Sequence, residues 1–362
     1  MRAPANLKPL TALRIFAALW VVLFDYWPNL GVASPTIVAK GYLGVELFFT
    51  LSGFILCHVY LEQVEQKRFQ YGGFLWARLA RIYPLHLATI ALIAVMGLGA
   101  TAIGHPVDAN AVSWRALPAN LLLVNAWGFA PVSGWNHASW SISAEWFAYL
   151  LFPAFAFAAL KLKDRPRLAI GLALAFMAGL YAGFTRLTGQ SLTHATIVWG
   201  ALRIVPCFTL GCAAYLAWRA NLVRSAGAAW TGAAISGAAL ITFAQLGAPD
   251  VAIVAASGAM ILSLAFVSKT WEEGRALDVL VYLGEISYSV YMLFVPWQLL
   301  FVNLTSRVLN YDKGHMPIYI WLVFVGSVIP LAAASHHLIE RPARDLMRRG
   351  LPRFERLFTT VA

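Results

Sequence analysis

Residues 41–54 read GYLGVELFFTLSGF. Glu46 stands, flanked by apolar residues, inside a run that continues to residue 60. A run of about 20 apolar residues is what a bilayer core of about 30 Å asks of a helix. A charge within such a span costs roughly 2.5–3.5 kcal/mol on insertion scales, so Glu46 needs a partner inside a bundle of helices. The small residues Gly41, Gly44, Ser52 and Gly53 allow close helix approach, and the expectation is that they bring Glu46 against the preceding span.

Working outward, similar apolar runs lie near 9–29, 79–100, 143–161, 167–185, 196–218, 227–246, 250–268, 279–302 and 317–339. Hydrophobic residues make up 60% of the chain and charged residues 12%, whereas a soluble domain has about 25% charged. Mean hydropathy is +0.69. The fold class is therefore all-α: a polytopic integral membrane protein of about ten transmembrane helices. Residues 1–342 read as one membrane domain and 343–362 as a basic tail. The first run is too long for the apolar core of a signal peptide and no small-residue cleavage pattern follows it, so it is expected to stay as the first span. Cys57, Cys207 and Cys212 all sit inside apolar runs, which predicts buried packing rather than disulfides or a metal site.

The net charge of +11 would suit a nucleic-acid binder, but the charges are placed for topology. Assigning loops alternately to two sides gathers Lys8, Arg14, Arg78, Arg81, Lys163, Arg219 and the arginines of 341–356 on the side of the termini. The opposite side keeps only Lys40, Arg115, Arg186, Arg307 and Lys313, and Arg203 falls within a span. The positive-inside rule then predicts that both termini are cytoplasmic, with membrane lipids and no nucleic acid as partners.

Four clusters of polar residues fall where a membrane protein needs a reason for them. Arg14 and Asp25 are eleven residues apart; at about 100° per residue they share a helix face, roughly 16 Å apart along the axis. A snorkelling arginine and a helix-end aspartate would be the structural alternative. Glu46 is the second cluster, with a purely structural hydrogen bond as its alternative. Arg78 and Arg81, three residues apart on one face, form a natural clamp for a polyanion, or else ordinary interfacial arginines. The fourth is the stretch 136–146, NHASWSISAEW, holding His137, Ser143 and Glu145. Ser139 and Ser141 there suit helix capping, with Glu145 near the positive helix end. Before it, the long external stretch 101–141 carries an apolar segment, 116–127, too short to span. Trp114, Trp127, Trp135, Trp140 and Trp146 cluster here, as an aromatic belt or a sugar-binding surface.

Several of these stretches resemble the bacterial membrane-bound acyltransferase family 3, which O-acylates polysaccharides and other surface glycans. They are LRIFAAL from residue 13, GVELFFTLSGF from 44, RLARIYP from 78, SWSISAE from 139, GEISYSVY from 284 and IERP from 339. The resemblance implies an acetyl-CoA donor entering from the cytoplasm and a glycan acceptor, an exopolysaccharide or its lipid-linked repeat, in the bacterial inner membrane. It implies that Arg78 and Arg81 hold the CoA phosphates, that Arg14 lies along the pantetheine arm, and that Glu46 and Glu145 lie near the reacting centre. His137 and Ser143 are further candidates, and no metal is implied.

The chain departs from the family at two places. Where the family has a histidine thought to be the general base, this chain has Asp25, and where it often has another, this chain has Phe294. An imidazole near pKa 6.5 suits proton transfer better than a carboxylate near 3.9. Asp25 is thus an activity-reducing substitution, a natural use of another base, or the mark of a relative that binds without turnover; the first is expected here. The expected route is direct transfer with a base at position 25 oriented by Glu46, an acyl-enzyme on a group such as Ser143 being the open alternative. A transporter or flippase for a glycan or lipid intermediate is the rival function, opposed by the lack of an internal repeat.

Overall fold

A computed structural model of the chain describes residues 7–104, 108, 110–269 and 275–349. The helices are α1 (Lys8–Tyr26), α2 (Thr36–Ala39), α3 (Gly44–Glu65), α4 (Tyr71–Ala102), α5 (Leu117–Leu121), α6 (Ser139–Leu150), α7 (Phe152–Lys161) and α8 (Pro166–Thr188). Then follow α9 (Gly200–Arg219), α10 (Ala226–Gln245), α11 (Asp250–Val267), α12 (Arg275–Glu285), α13 (Ser287–Val308), α14 (Ile318–Ser335) and α15 (Arg341–Arg349). Nine helices among the described residues are long and apolar enough to cross a membrane, and the bent pair α6–α7 would make ten. The protein is therefore an all-helical polytopic membrane protein, as its apolar runs predict. The three cysteines are free and buried, also as expected.

Boundaries differ from the sequence expectation in three places. The stretch 61–77, between the apolar runs that end at 60 and begin at 79, is mostly helix, because α3 runs on to Glu65 and α4 begins at Tyr71. The span expected at 143–161 is two helices meeting at 58°, with Pro153 in the first turn of α7. A proline lacks the N–H that would bond back into α6 and disfavours helical geometry before it. Ser139 and Ser141 lie inside α6 and do not cap it; Ala138 is the capping position and makes no side-chain hydrogen bond. The run 279–302 likewise divides at Ile286 into α12 and α13.

α3 is the central helix, packed against α1, α6, α7, α9 and α11. Its glycines explain which side meets which neighbour. A Cβ on Gly44 would lie 2.6 Å from the Ala17 carbonyl oxygen of α1. One on Gly53 would lie 2.2 Å from the Phe208 oxygen of α9, and Gly211 of α9 returns the fit, its Cβ falling 2.0 Å from the Thr50 oxygen. Only glycine permits backbones this close. The segment 116–127 dips into the bundle, with Ala116, Asn120, Leu123 and Ala126 buried.

Candidate active site: a cavity along α3

The helical period sorts the side chains of α3 onto two faces. Glu46, Thr50 and Gly53 turn toward α9, while Val45, Phe48, Phe49, Ser52, Leu56 and Val59 line a cavity of about 290 Å³. From Val45 to Val59 that lining runs roughly 20 Å at 1.5 Å per residue, most of a bilayer core. The remaining walls come from α1, α4, α6 and α13, and they bring Arg14, Arg78, Arg81, Glu145, Tyr149 and Tyr291 to the same space. The apolar share of the lining, including Leu10, Ile55 and Ile142, leaves room for a thin neutral chain between the charged groups.

Sequence reasoning expects Arg14, Arg78, Arg81 and Glu145 at one site, and the structure brings these four together. Neither Arg14 nor Arg81 has an ion pair or hydrogen bond with another of the described residues. Arg78 stacks over the Tyr60 ring at 5.7 Å, and its buried Nε has no partner. Glu145 accepts a hydrogen bond from Ser52 at 2.8 Å. Tyr149 follows one helical turn after Glu145 on α6 and lines the same cavity. Ser52, Tyr149, Tyr291 and His58 face the cavity without having been singled out as site residues. Ser52 stands in the stretch quoted first, where its small size alone attracted notice.

Other expected site residues lie elsewhere. Glu46 is fully buried and paired with Arg203 of α9, Nε to Oε1 at 2.5 Å and Nη2 to Oε2 at 3.0 Å. It does not meet α1: the two residues from Gly44 to Glu46 turn about 200°, so the face that carries Gly44 onto α1 points Glu46 away. It therefore cannot orient a base at position 25. Ser143 is buried too, and its hydroxyl donates to the Leu123 oxygen at 2.8 Å and accepts from the Ala126 amide at 3.0 Å. That hydroxyl ties the dipping segment to α6 and is not presented to the cavity.

Asp25 ends α1 half-buried, outside the cavity lining, with its backbone oxygen accepting from Gln298 at 3.2 Å. Phe294 packs edge-on against Tyr26, whose hydroxyl donates to the Phe294 oxygen at 2.7 Å. His137 is exposed, hydrogen-bonded with Ser133 and away from the cavity. The protein packed around it lowers its imidazole pKa from the ordinary 6.5. Of the five clustered tryptophans only Trp114 is exposed, and it meets Trp135 edge-on. Trp135 and Trp140 are buried and serve as packing.

A second, polar cavity adjoins the first, with Arg14 and Arg81 in both walls. Glu285, His336, Glu340, Arg341 and Arg344 complete it. A π-helical turn, His336–Glu340, lets Glu340 accept from Ser289 at 2.8 Å while His336 lies at 3.0 Å and Arg344 at 3.5 Å. Such turns concentrate at functional sites.

The sequence matches the acyltransferase domain family over residues 8–336. Among similar proteins, the acyltransferase MdmB of Streptomyces mycarofaciens is 28% identical over 96% of this chain and 94% of its own length. The O-acetyltransferase OatA of Staphylococcus aureus is 24% identical over 95% of this chain, which spans 58% of that relative. No solved structure matches significantly. With its ionisable cavity held among membrane-spanning helices and the family's sequence pattern running through nearly all of them, the chain belongs to acyltransferase family 3.

Proposed function

We propose that the protein transfers an acetyl group from acetyl-CoA to a sugar hydroxyl of an exopolysaccharide or its lipid-linked repeat. It would do so in the bacterial inner membrane, with its termini cytoplasmic. The observation that carries this reading is the set Arg14, Arg78 and Arg81, which line, without carboxylate partners within ion-pairing distance, one roughly 20 Å, largely apolar cavity. Guanidinium groups without ion pairs ask for a polyanion, and the apolar lining asks for a slender uncharged arm. Acetyl-CoA has both, phosphates at one end and a thioester at the other.

In this reading Arg78 and Arg81 hold the phosphates and Arg14 lies beside the arm. Glu145, the carboxylate that faces the cavity, takes the proton of the attacking hydroxyl and gives it to the departing thiolate. Asp25, at the C-terminal end of α1, receives hydrogen bonds from the acceptor sugar rather than serving as the base. The exposed Trp114 offers that sugar a stacking surface, and the basic terminal face meets anionic lipid.

The test is calorimetric titration with acetyl-CoA and with S-acetylpantetheine, which lacks the phosphates. Arg78→Ala/Arg81→Ala should weaken acetyl-CoA by about tenfold or more, ~1.4 kcal/mol, and leave S-acetylpantetheine unchanged. An intact protein that does not bind acetyl-CoA overturns the reading.

A further inference from the structure

We infer that Ser52 is a covalent way-station for the acyl group. The inference rests on the acyl-CoA reading above and adds a step to it. Ser52 occupies the middle of the cavity-lining face of α3, seven residues from both Val45 and Val59, or about 10 Å from either end. Its hydroxyl donates to Glu145 Oε1 at 2.8 Å. A hydroxyl donating to a carboxylate at that distance is the arrangement of a nucleophile with its base. Tyr149, one helical turn beyond Glu145 on α6, lines the same cavity. Ser52 is only half-buried, so a ligand in the cavity reaches it. Ser143, by contrast, is closed off between two backbone groups.

The position also answers a geometric need. Arg14, Arg78 and Arg81 line the cavity, whereas Asp25 lies outside its lining, roughly 16 Å from Arg14 along α1. A donor held by its phosphates and an acceptor received near Asp25 need not meet at once if the acyl group rests between them.

In the first step Ser52 Oγ attacks the thioester carbonyl carbon as its proton passes to Glu145. The C–S bond breaks, and the thiolate takes the proton from Glu145 and leaves as CoA. In the second step an acceptor hydroxyl gives its proton to Glu145 and attacks the seryl ester. The bond from carbonyl carbon to Ser52 Oγ breaks, and Ser52 regains its proton from Glu145. Arg14, which lines the same cavity from α1 and has no ion pair, is the cation available to the oxyanion of both tetrahedral intermediates.

The experiment is isotope exchange between acetyl-CoA and labelled CoA in purified protein without acceptor, with peptide mass mapping of residues 44–65. The intact protein should exchange label and carry one acetyl group on Ser52. Ser52→Ala should lose exchange by at least ~100-fold while its affinity for acetyl-CoA stays within about threefold. Ser52→Cys, which preserves size and a nucleophile, should carry the acetyl group as a thioester released by neutral hydroxylamine. Binding of acetyl-CoA with no exchange and no modified Ser52 overturns the way-station and leaves direct transfer. Absence of acetyl-CoA binding overturns the donor reading itself.

Discussion

Glu46 of α3 and Arg203 of α9 form a two-point ion pair, at 2.5 Å and 3.0 Å, with both side chains out of reach of solvent. Arg203 also donates to the Ala195 oxygen at 3.0 Å and the Tyr42 oxygen at 3.3 Å, and lies 4.6 Å from the Trp140 ring centroid. Every polar group of the pair is thus satisfied by protein, so it joins two helices and offers nothing to a substrate. Removing one partner strands the other charge, at about 3–5 kcal/mol. Glu46→Gln and Arg203→Met should each lower the thermal unfolding temperature in detergent, and Glu46→Leu/Arg203→Met should recover much of the loss. A Glu46→Gln protein that keeps its stability and loses turnover would return Glu46 to the catalytic residues.

Ser143 bridges the Leu123 oxygen and the Ala126 amide, linking the dipping segment to α6. Its removal leaves two buried backbone groups unpartnered, at about 1–3 kcal/mol each. Ser143→Ala should therefore be destabilised in thermal melts yet retain acetyl exchange in the surviving folded protein. Loss of exchange at full stability would make Ser143 the acyl carrier instead of Ser52.

Much of this was legible in the sequence, for reasons that also mark where legibility stops. Apolar length shows where a chain crosses a membrane, and Arg14, Arg78, Arg81 and Glu145 stand out because charges near spans are rare. What period and composition do not carry is which neighbour a helix face meets. Glu46 and Ser52 share one stretch of α3, yet one faces α9 and the other the cavity. The lone Arg203 in another span was the available clue to the partner of Glu46. Ser52 carried no charge to betray it, and its hydrogen bond to Glu145, ninety-three residues away, depends on the packing of α3 against α6. The clustered tryptophans, open between an aromatic belt and a sugar-binding surface, show the same limit: density in sequence does not separate either from a core, and Trp135 and Trp140 are core.

Acid sensitivity should trace in part to two histidines outside the spans. His137 and His194 both have pKa values lowered from the ordinary 6.5, chiefly by the protein packed around them. Protonation then favours the unfolded state. Their stabilising effect is intact above 6.5 and is lost as pH falls through that value toward the folded pKa. Melting temperatures taken between about pH 7 and pH 5 should fall less steeply in His137→Gln/His194→Gln than in the parent. Equal slopes would show that neither imidazole is disfavoured when charged in the folded protein.

Asp25 separates two accounts of the acceptor step. It stands outside the cavity lining while Glu145 stands within it, beside Ser52. If Asp25 only receives the sugar, Asp25→Asn should raise KM for the acceptor by about tenfold and leave kcat and acetyl-CoA/CoA exchange near the parent values, since an amide still bonds a hydroxyl. If it is the base that the family pattern puts at this position, kcat at saturating acceptor should fall by about 10²–10⁴, with exchange untouched. The first pattern is expected, because a general base has to reach the reacting hydroxyl and Glu145, not Asp25, lines the cavity. A large kcat loss in Asp25→Asn, recovered by Asp25→His, would move the base to position 25 and leave Glu145 to activate Ser52 alone.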